Sequence, residues 1–233
     1  MGKGTGTWFV WICIIVLVGL LAAVGNCDLK NGDWGATDPG NPDIDWGDAP
    51  DSYCTLRVSN GAHHVAIDDL YYLGKGVDRE NDGAPSLDAD GDDNKQIRGD
   101  DEDGVQFHGD LVPGQTANVT VTVSQSNGYL SAWIDFNCDG DWDEPEEHVI
   151  VSQQYPAGTH QINIVVPQHA VGTNRTYARF RYSSTPNLDY FGGASDGEVE
   201  DYTVAIKESD FGDAPEPYPT MIGQNGARHM FVD

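Results

Sequence analysis

Between Thr116 and Val123 apolar and polar residues alternate, with Ala117, Val119, Val121 and Val123 on one parity and Asn118, Thr120 and Thr122 on the other. Successive side chains of an extended chain point to opposite faces, so this pattern predicts a half-buried strand. The same period runs from Tyr129 to Phe136, where Leu130, Ala132, Ile134 and Phe136 share a face. Further strands are predicted at His148 to Val151, Gln161 to Val166, Tyr177 to Tyr182 and Glu198 to Ile206. Turn residues punctuate them at Pro113-Gly114, Pro156-Ala157-Gly158, Gly172-Thr173-Asn174 and Gly192-Gly193. Short strands without an amphipathic helix predict an all-β fold, an antiparallel β-sandwich of Ig-like or jelly-roll-like kind, over residues 105–207.

The second of these strands runs into D-F-N-C-D-G-D-W-D-E-P-E, from Asp135 to Glu146. Asp135, Asn137, Asp139, Asp141, Asp143 and Glu146 fall where a twelve-residue calcium loop places its oxygen ligands, and Gly140 occupies the sixth place, where the chain turns sharply. A hard cation needs six to eight oxygens, and this order of acids supplies them. Ca2+ is therefore the expected cofactor, held at the end of a strand and not between two helices. Without the ion the same residues would make a solvated Asp/Gly turn.

Before the sandwich, residues 43–104 form an acidic, loop-rich segment expected to add calcium sites. Its acids come in blocks around Gly and Asn, and Asp88, Asp90, Asp92, Asp100, Asp101 and Asp103 are the candidate secondary ligands. Clustered like charges repel unless cations lie among them; the competing reading is a disordered acidic linker. The whole chain has 12 Lys+Arg against 38 Asp+Glu, a net charge of -26. That balance excludes nucleic acid as a partner and disfavours an anionic membrane surface.

The first residues look like a targeting segment. Trp8 to Val24 is almost wholly apolar, Lys3 precedes it and Ala23-Val24-Gly25 offers a small-x-small cleavage pattern, so residues 1–25 are read as a signal peptide or signal anchor. Cys27 raises lipidation as a third route, although Asn26 is not the small residue that signal prefers. The expected location is outside the cell, secreted or at the surface, with the membrane touched only through this segment. Residues 26–42, rich in Gly, Asp, Asn and Pro, read as a linker. Of the cysteines that would survive cleavage, Cys54 and Cys138 could pair in an oxidising compartment, or all could stay as thiols.

An internal repeat sets the domain organisation. D-W-G-D-A-P-D-S-Y from Asp45 to Tyr53 returns as D-F-G-D-A-P-E-P-Y from Asp210 to Tyr218, 165 residues on, and Asn60-Gly61-Ala62 with His64 returns as Asn225-Gly226-Ala227 with His229. A period this long repeats a whole domain. Residues 43–207 are then one domain and residues 208–233 the truncated start of a second, as at the front of a longer protein. His63 is replaced by Arg228 in the repeat, which favours a hydrogen-bonded structural role for His64 over a metal site.

The last strand carries Gly197-Glu198-Val199-Glu200-Asp201-Tyr202. Alternation places Glu198 and Glu200 on the apolar face with Tyr202, Val204 and Ile206, where acids need partners. Arg179 and Arg181 are the expected cross-strand partners, a cation the alternative. Together with Trp46-Gly47-Asp48-Ala49-Pro50-Asp51, the run Asp101-Glu102-Asp103-Gly104-Val105 and Ala132-Trp133-Ile134-Asp135-Phe136-Asn137, this motif resembles the bacterial GEVED-type domain of secreted and surface-exposed multi-domain proteins. The resemblance implies a β-sandwich accessory module without established catalytic residues.

The function expected on these grounds is a non-catalytic, calcium-stabilised extracellular module for display, adhesion or spacing, with calcium as partner. The alternative is an accessory module of a secreted hydrolase that binds a cell-surface glycan or protein, with Trp133 and Trp142 as candidate platforms. A glycoside hydrolase using Glu198 and Glu200 is a third reading, although no H-E-x-x-H motif or Walker loop is present.

Overall fold

The computed structural model describes residue 27 and residues 43–66, 70–91, 102–125, 127–215, 217–221 and 226–230. Residues 1–26, 28–42 and Asp92, Asp100 and Asp101, on which the signal, linker and three secondary-ligand expectations fall, lie outside the described residues. The described chain is all-β apart from two single-turn 3-10 helices, Asp51–Tyr53 and Arg57–Ser59. Among the described residues no helix is long and apolar enough to cross a membrane.

Two antiparallel sheets form the sandwich. One is three-stranded, with β3 (Val105–Phe107), β4 (Thr116–Val123) and β7 (Gly158–Val165) in that order. The other is four-stranded, in the order β10 (Glu198–Ile206), β8 (Thr173–Ser183), β5 (Tyr129–Ile134), β6 (His148–Gln154). The alternating residues meet between them: Val119, Val121 and Val123 from one sheet, Leu130, Ala132, Ile134, Phe180 and Ile206 from the other. The predicted strands are all present, and the sandwich expected from their spacing is the fold.

The four-stranded sheet is covered on its other face as well. β1 (Ile44–Trp46) pairs with β2 (His63–Val65), which pairs in parallel with β9 (Gly193–Ala194), and this small sheet lies beside β10. Every residue of β8 from Thr176 to Ser183 is consequently buried. A strand covered on both faces normally reads as an apolar run. Here two arginines, each 0 % exposed, stand in it.

Arg179 is held by Asp201 through two parallel bonds, Nε to Oδ1 at 2.7 Å and Nη2 to Oδ2 at 2.6 Å. It also donates to the carbonyls of Tyr53, Cys54 and Tyr190 at 2.8–3.0 Å and to Thr55 Oγ1 at 3.1 Å. Asp201 Oδ2 in turn accepts the backbone N–H groups of Asp48 and Ala49 at 3.0 and 2.8 Å. Arg181 donates to the carbonyls of His63, Asp189, Phe191 and Gly192 and, through Nε, to His64 Nε2 at 2.9 Å. A buried charge is tolerable only when its donors are filled, and these nearly all are. The D-W-G-D-A-P motif and the G-E-V-E-D motif are thus two halves of one buried joint. Gly47 allows it, because a Cβ there would stand 2.5 Å from Asp201 Oδ2 and 2.7 Å from Arg179 Nη2.

The expected pairing of Arg179 and Arg181 with Glu198 and Glu200 is corrected. Asp201 lies opposite Arg179 and Val199 opposite Arg181, whereas Glu200 faces Phe180 and Glu198 faces Tyr182. The glutamates therefore project to the sandwich side, away from the arginines. There Glu198 accepts the N–H of Leu73, and Glu200 accepts the N–H of Gly104 at 2.9 Å and the hydroxyl of Tyr202 at 3.0 Å. They pin the acidic segment to the rim of the core.

His64 has the structural role its recurrence suggests. Its Nε2 accepts from Arg181, so Nδ1 carries the proton and donates to Asp196 O at 2.8 Å. Burial first, then the Arg181 charge, hold its pKa well below the ordinary 6.5. Below that pH the unfolded chain binds a proton that the folded chain refuses, so stability present above about pH 6.5 falls on acidification by about 1.4 kcal/mol per pH unit. The buried Glu147, raised to about 9, acts in the opposite sense over this range, so the His64 slope is read as the difference between wild type and His64→Gln in urea denaturation from pH 7 to pH 5. An unchanged slope in the variant would place the proton elsewhere.

Candidate metal centre

β5 leads directly into the acidic loop, which returns as β6, so the sandwich fixes both ends. Asp135 is fully buried at the entry. Its Oδ2 accepts the Tyr53 hydroxyl at 2.5 Å and the Gly140 N–H at 3.2 Å, and its Oδ1 accepts the Cys138 N–H at 2.5 Å. Burial raises its pKa, while these donors oppose the rise by favouring the carboxylate. Asp135 therefore shapes the loop from inside. Gly140, at φ +98°, sits in the left-handed region that favours glycine.

The remaining predicted ligands divide into two groups. Asn137 and Asp139 stay together, with Asn137 Nδ2 donating to Asp139 Oδ2 at 2.9 Å and Asp139 N donating to Asn137 Oδ1 at 2.9 Å. Asp139 and Asp141 converge with Glu144, one carboxylate oxygen of each lying within 4.8 Å of the others. Asp143 instead accepts the Tyr190 hydroxyl at 2.8 Å, and Glu146 lies 3.1 Å from His169 Nε2 on the surface. The converging set is Asp139, Asp141 and Glu144.

Behind it stands Glu147, which the loop template passes over. It is 1 % exposed; its Oε1 accepts the N–H groups of Phe136 and Asn137 at 2.8 and 3.2 Å, and its Oε2 is buried away from any backbone donor. Glu144 Oε2 is buried as well, and the two carboxyl groups are close enough to share a proton. Burial, followed by the Asp135 charge, pushes Glu147 up to about 9, and burial, followed by Asp139, raises Glu144. A buried carboxylate oxygen with no donor costs free energy until a proton or a cation reaches it. A cation among Asp139, Asp141 and Glu144 would relieve several carboxylates together, so this donor set fits a hard divalent ion.

Sequence reasoning missed Glu144 and Glu147, and the run Glu144-Pro145-Glu146-Glu147 carried the signal. A strand follows the loop here, so no helix exists to bring the twelfth residue round onto the ion. Acids just beside that place deserved equal weight.

Of the secondary ligands, the three that are described do not gather. Asp88 pairs with Arg175 at 2.6 Å, Asp90 accepts the Ser86 hydroxyl at 2.8 Å, and Asp103 pairs with Lys75 at 2.7 Å. In the acidic segment the carboxylates that do converge are Asp78 and Glu80, with Asp45 of β1.

The aromatic side of the loop is packed. Trp133 is 2 % exposed and stacks on His148 at 4.4 Å, and Trp142, equally buried, packs between Tyr53 and Tyr190 beneath the Arg179 guanidinium. Neither offers a face to a glycan, so the platform alternative gains no support from these two residues. The cysteine reading is corrected. Cys27 bonds to Cys54, and Cys138 is a free, exposed thiol. Residue 54 lies on the arginine joint, where its carbonyl accepts from Arg179.

An antiparallel sandwich with an acidic β-turn loop, clasped by an N-terminal motif through buried arginines, defines a small all-β accessory module. Residues 129–205 match the family model described as the GEVED domain, and the chain carries a GEVED-type domain over that stretch. The match contains the acidic loop, both arginines and the G-E-V-E-D motif. Searches of curated proteins and of solved structures returned no match.

Proposed function

We propose that this chain is a non-catalytic, calcium-stabilised extracellular module, serving display, adhesion or spacing. The observation that carries the reading is the buried pair of Glu144 and Glu147 carboxyl groups, close enough to share a proton, beside the converged Asp139 and Asp141. Calcium suits them because the set is all oxygen, and millimolar concentrations outside cells match the weak affinity of extracellular modules. The Cys27–Cys54 bond supports an oxidising compartment. The apolar segment from Trp8 to Val24 supports export, with Cys27 in a disulfide rather than under a lipid. No catalytic reading gains support at Glu198 and Glu200, since both hold backbone N–H groups at the rim of the core.

Calcium at about 5 mM should add about 1–2 kcal/mol of stability, for a dissociation constant of about 0.1–1 mM. That is a melting point higher by about 3–8 °C. Calorimetric titration and thermal melting of the chain from residue 26 onward, in chelator and in calcium, measure it. Glu144→Gln should raise the calcium-free melting point by relieving repulsion and remove the response to calcium. A melting point identical in chelator and calcium would sink the reading.

A further inference from the structure

The start of the second repeat keeps the form of the first without the surface that the first one covers. β11 (Ser209–Phe211) pairs with β12 (Arg228–Met230) in the register Ser209 to Met230, Asp210 to His229 and Phe211 to Arg228. At the 165-residue offset these are the pairs Ile44 to Val65, Asp45 to His64 and Trp46 to His63 of β1 and β2. The backbone bonds recur as well. Gly212 N to Ala227 O at 3.2 Å repeats Gly47 N to Ala62 O at 3.4 Å. Tyr218 N to Pro215 O at 3.2 Å repeats Tyr53 N to Pro50 O at 2.8 Å, and Gly226 N to Met221 O at 3.0 Å repeats Gly61 N to Leu56 O at 2.9 Å. The unit thus holds its shape by its own bonds.

What differs is its cover. In the first copy Asp45 accepts the Val199 N–H at 2.7 Å, Asp48 and Ala49 donate to Asp201, and His64 accepts from Arg181; all four residues are buried. Their counterparts Asp210, Asp213, Ala214 and His229 are identical in type and exposed. Tyr53 is 4 % exposed and Tyr218 64 %. The glycine in the motif tells the same story: Asp201 and Arg179 press on Gly47, whereas a Cβ at Gly212 would meet nothing nearer than Thr220 Cγ2 at 4.0 Å. The second unit carries the fittings of a joint whose other half is a surface like that of Arg179, Arg181 and Asp201.

We propose that residues 209–215, 217–221 and 226–230 are the described parts of a docking unit that seats on the arginine face of a second GEVED-type sandwich. The partner must present two arginines two residues apart on one strand and the last acid of a G-E-V-E-D motif opposite the first of them. The sandwich of this chain has that face already filled by residues 44–65, so it is not the partner. Each sandwich is closed by the motif that precedes it, and modules joined this way share a structured connection in place of a loose linker. The inference does not depend on calcium.

The test extends the full chain by a copy of its own residues 69–207 after Asp233, which supplies one sandwich with no motif except residues 209–230. Amide hydrogen exchange at Asp213 and Ala214 should slow by at least about 100-fold relative to the unextended chain, as bonded and buried amides do. Tyr218 should become inaccessible to iodination. Asp210→Ala with Asp213→Ala should abolish that protection and destabilise the added sandwich, while moving the melting point of the unextended chain by less than about 1 °C. An added sandwich that stays unfolded, or one that folds while residues 209–230 exchange as fast as before, overturns the proposal.

Discussion

Arg179→Met should cost the domain about 3–5 kcal/mol, the loss expected when one partner of a buried ion pair is removed. The side chains of Arg179 and Asp201 are both 0 % exposed, and methionine leaves the Asp201 charge without its guanidinium. It also removes the donors to the carbonyls of Tyr53 and Cys54 on one segment and of Tyr190 on another far from it in sequence. With a typical domain stability of about 5–15 kcal/mol, the variant should melt far below the wild type or fail to fold. Arg179→Met combined with Asp201→Asn should recover part of the loss, since asparagine carries no charge and still accepts the N–H groups of Asp48 and Ala49. Urea denaturation of the two single variants and the double variant measures the coupling. A coupling below about 0.5 kcal/mol would show that the joint is held by packing alone, contrary to the bidentate geometry.

That joint also marks the limit of what could be read from the sequence. The strands of the sandwich were legible because one face of each is apolar, and alternation survives wherever water covers the other face. β8 is covered on both sides, and its pattern, T-Y-A-R-F-R-Y-S, still alternates, with arginines in place of surface residues. The face of each residue was therefore clear, but the partner across the strand was not. Pairing depends on register, and one residue of slip moves every side chain of β10 to the opposite face. The segment between β8 and β10, which contains β9, gives no turn rule to fix that register. So the glutamates were matched to the arginines, when Asp201 alone stands on the correct side.

The acidic loop was legible in outline for a different reason. Spacing of acids around Gly140 is a local property, and Asp139 and Asp141 do converge. Which acid closes the set depends on the direction of the chain after the loop, and here that is a strand held by β5. Tyr53 and Tyr190, whose hydroxyls take up Asp135 and Asp143, arrive from other parts of the chain, and no local pattern announces them. The repeat was the strongest long-range signal, because a motif written twice declares a unit even when its contacts are unknown.

Reduction of the Cys27–Cys54 bond should be the other large loss. The bond closes a separation of 27 residues, with Cα atoms 6.0 Å apart. By the chain-entropy account such a loop contributes about 3.5 kcal/mol by restricting the unfolded state. At this domain size that is about 7–14 °C in melting temperature. The location of the bond raises the stake, because the carbonyl of Cys54 is one of the acceptors of Arg179. Loosening residue 54 therefore loosens the joint, and Tyr53, the next residue, carries the hydroxyl that holds Asp135 in the acidic loop. Melting with and without a thiol reductant, beside the Cys27→Ser variant, measures the loss. Peptide mapping of the unreduced protein should find Cys27 joined to Cys54, and Cys138, which is exposed, should be alkylated without denaturant. Equal melting points would mean that the arginine joint needs no covalent brace.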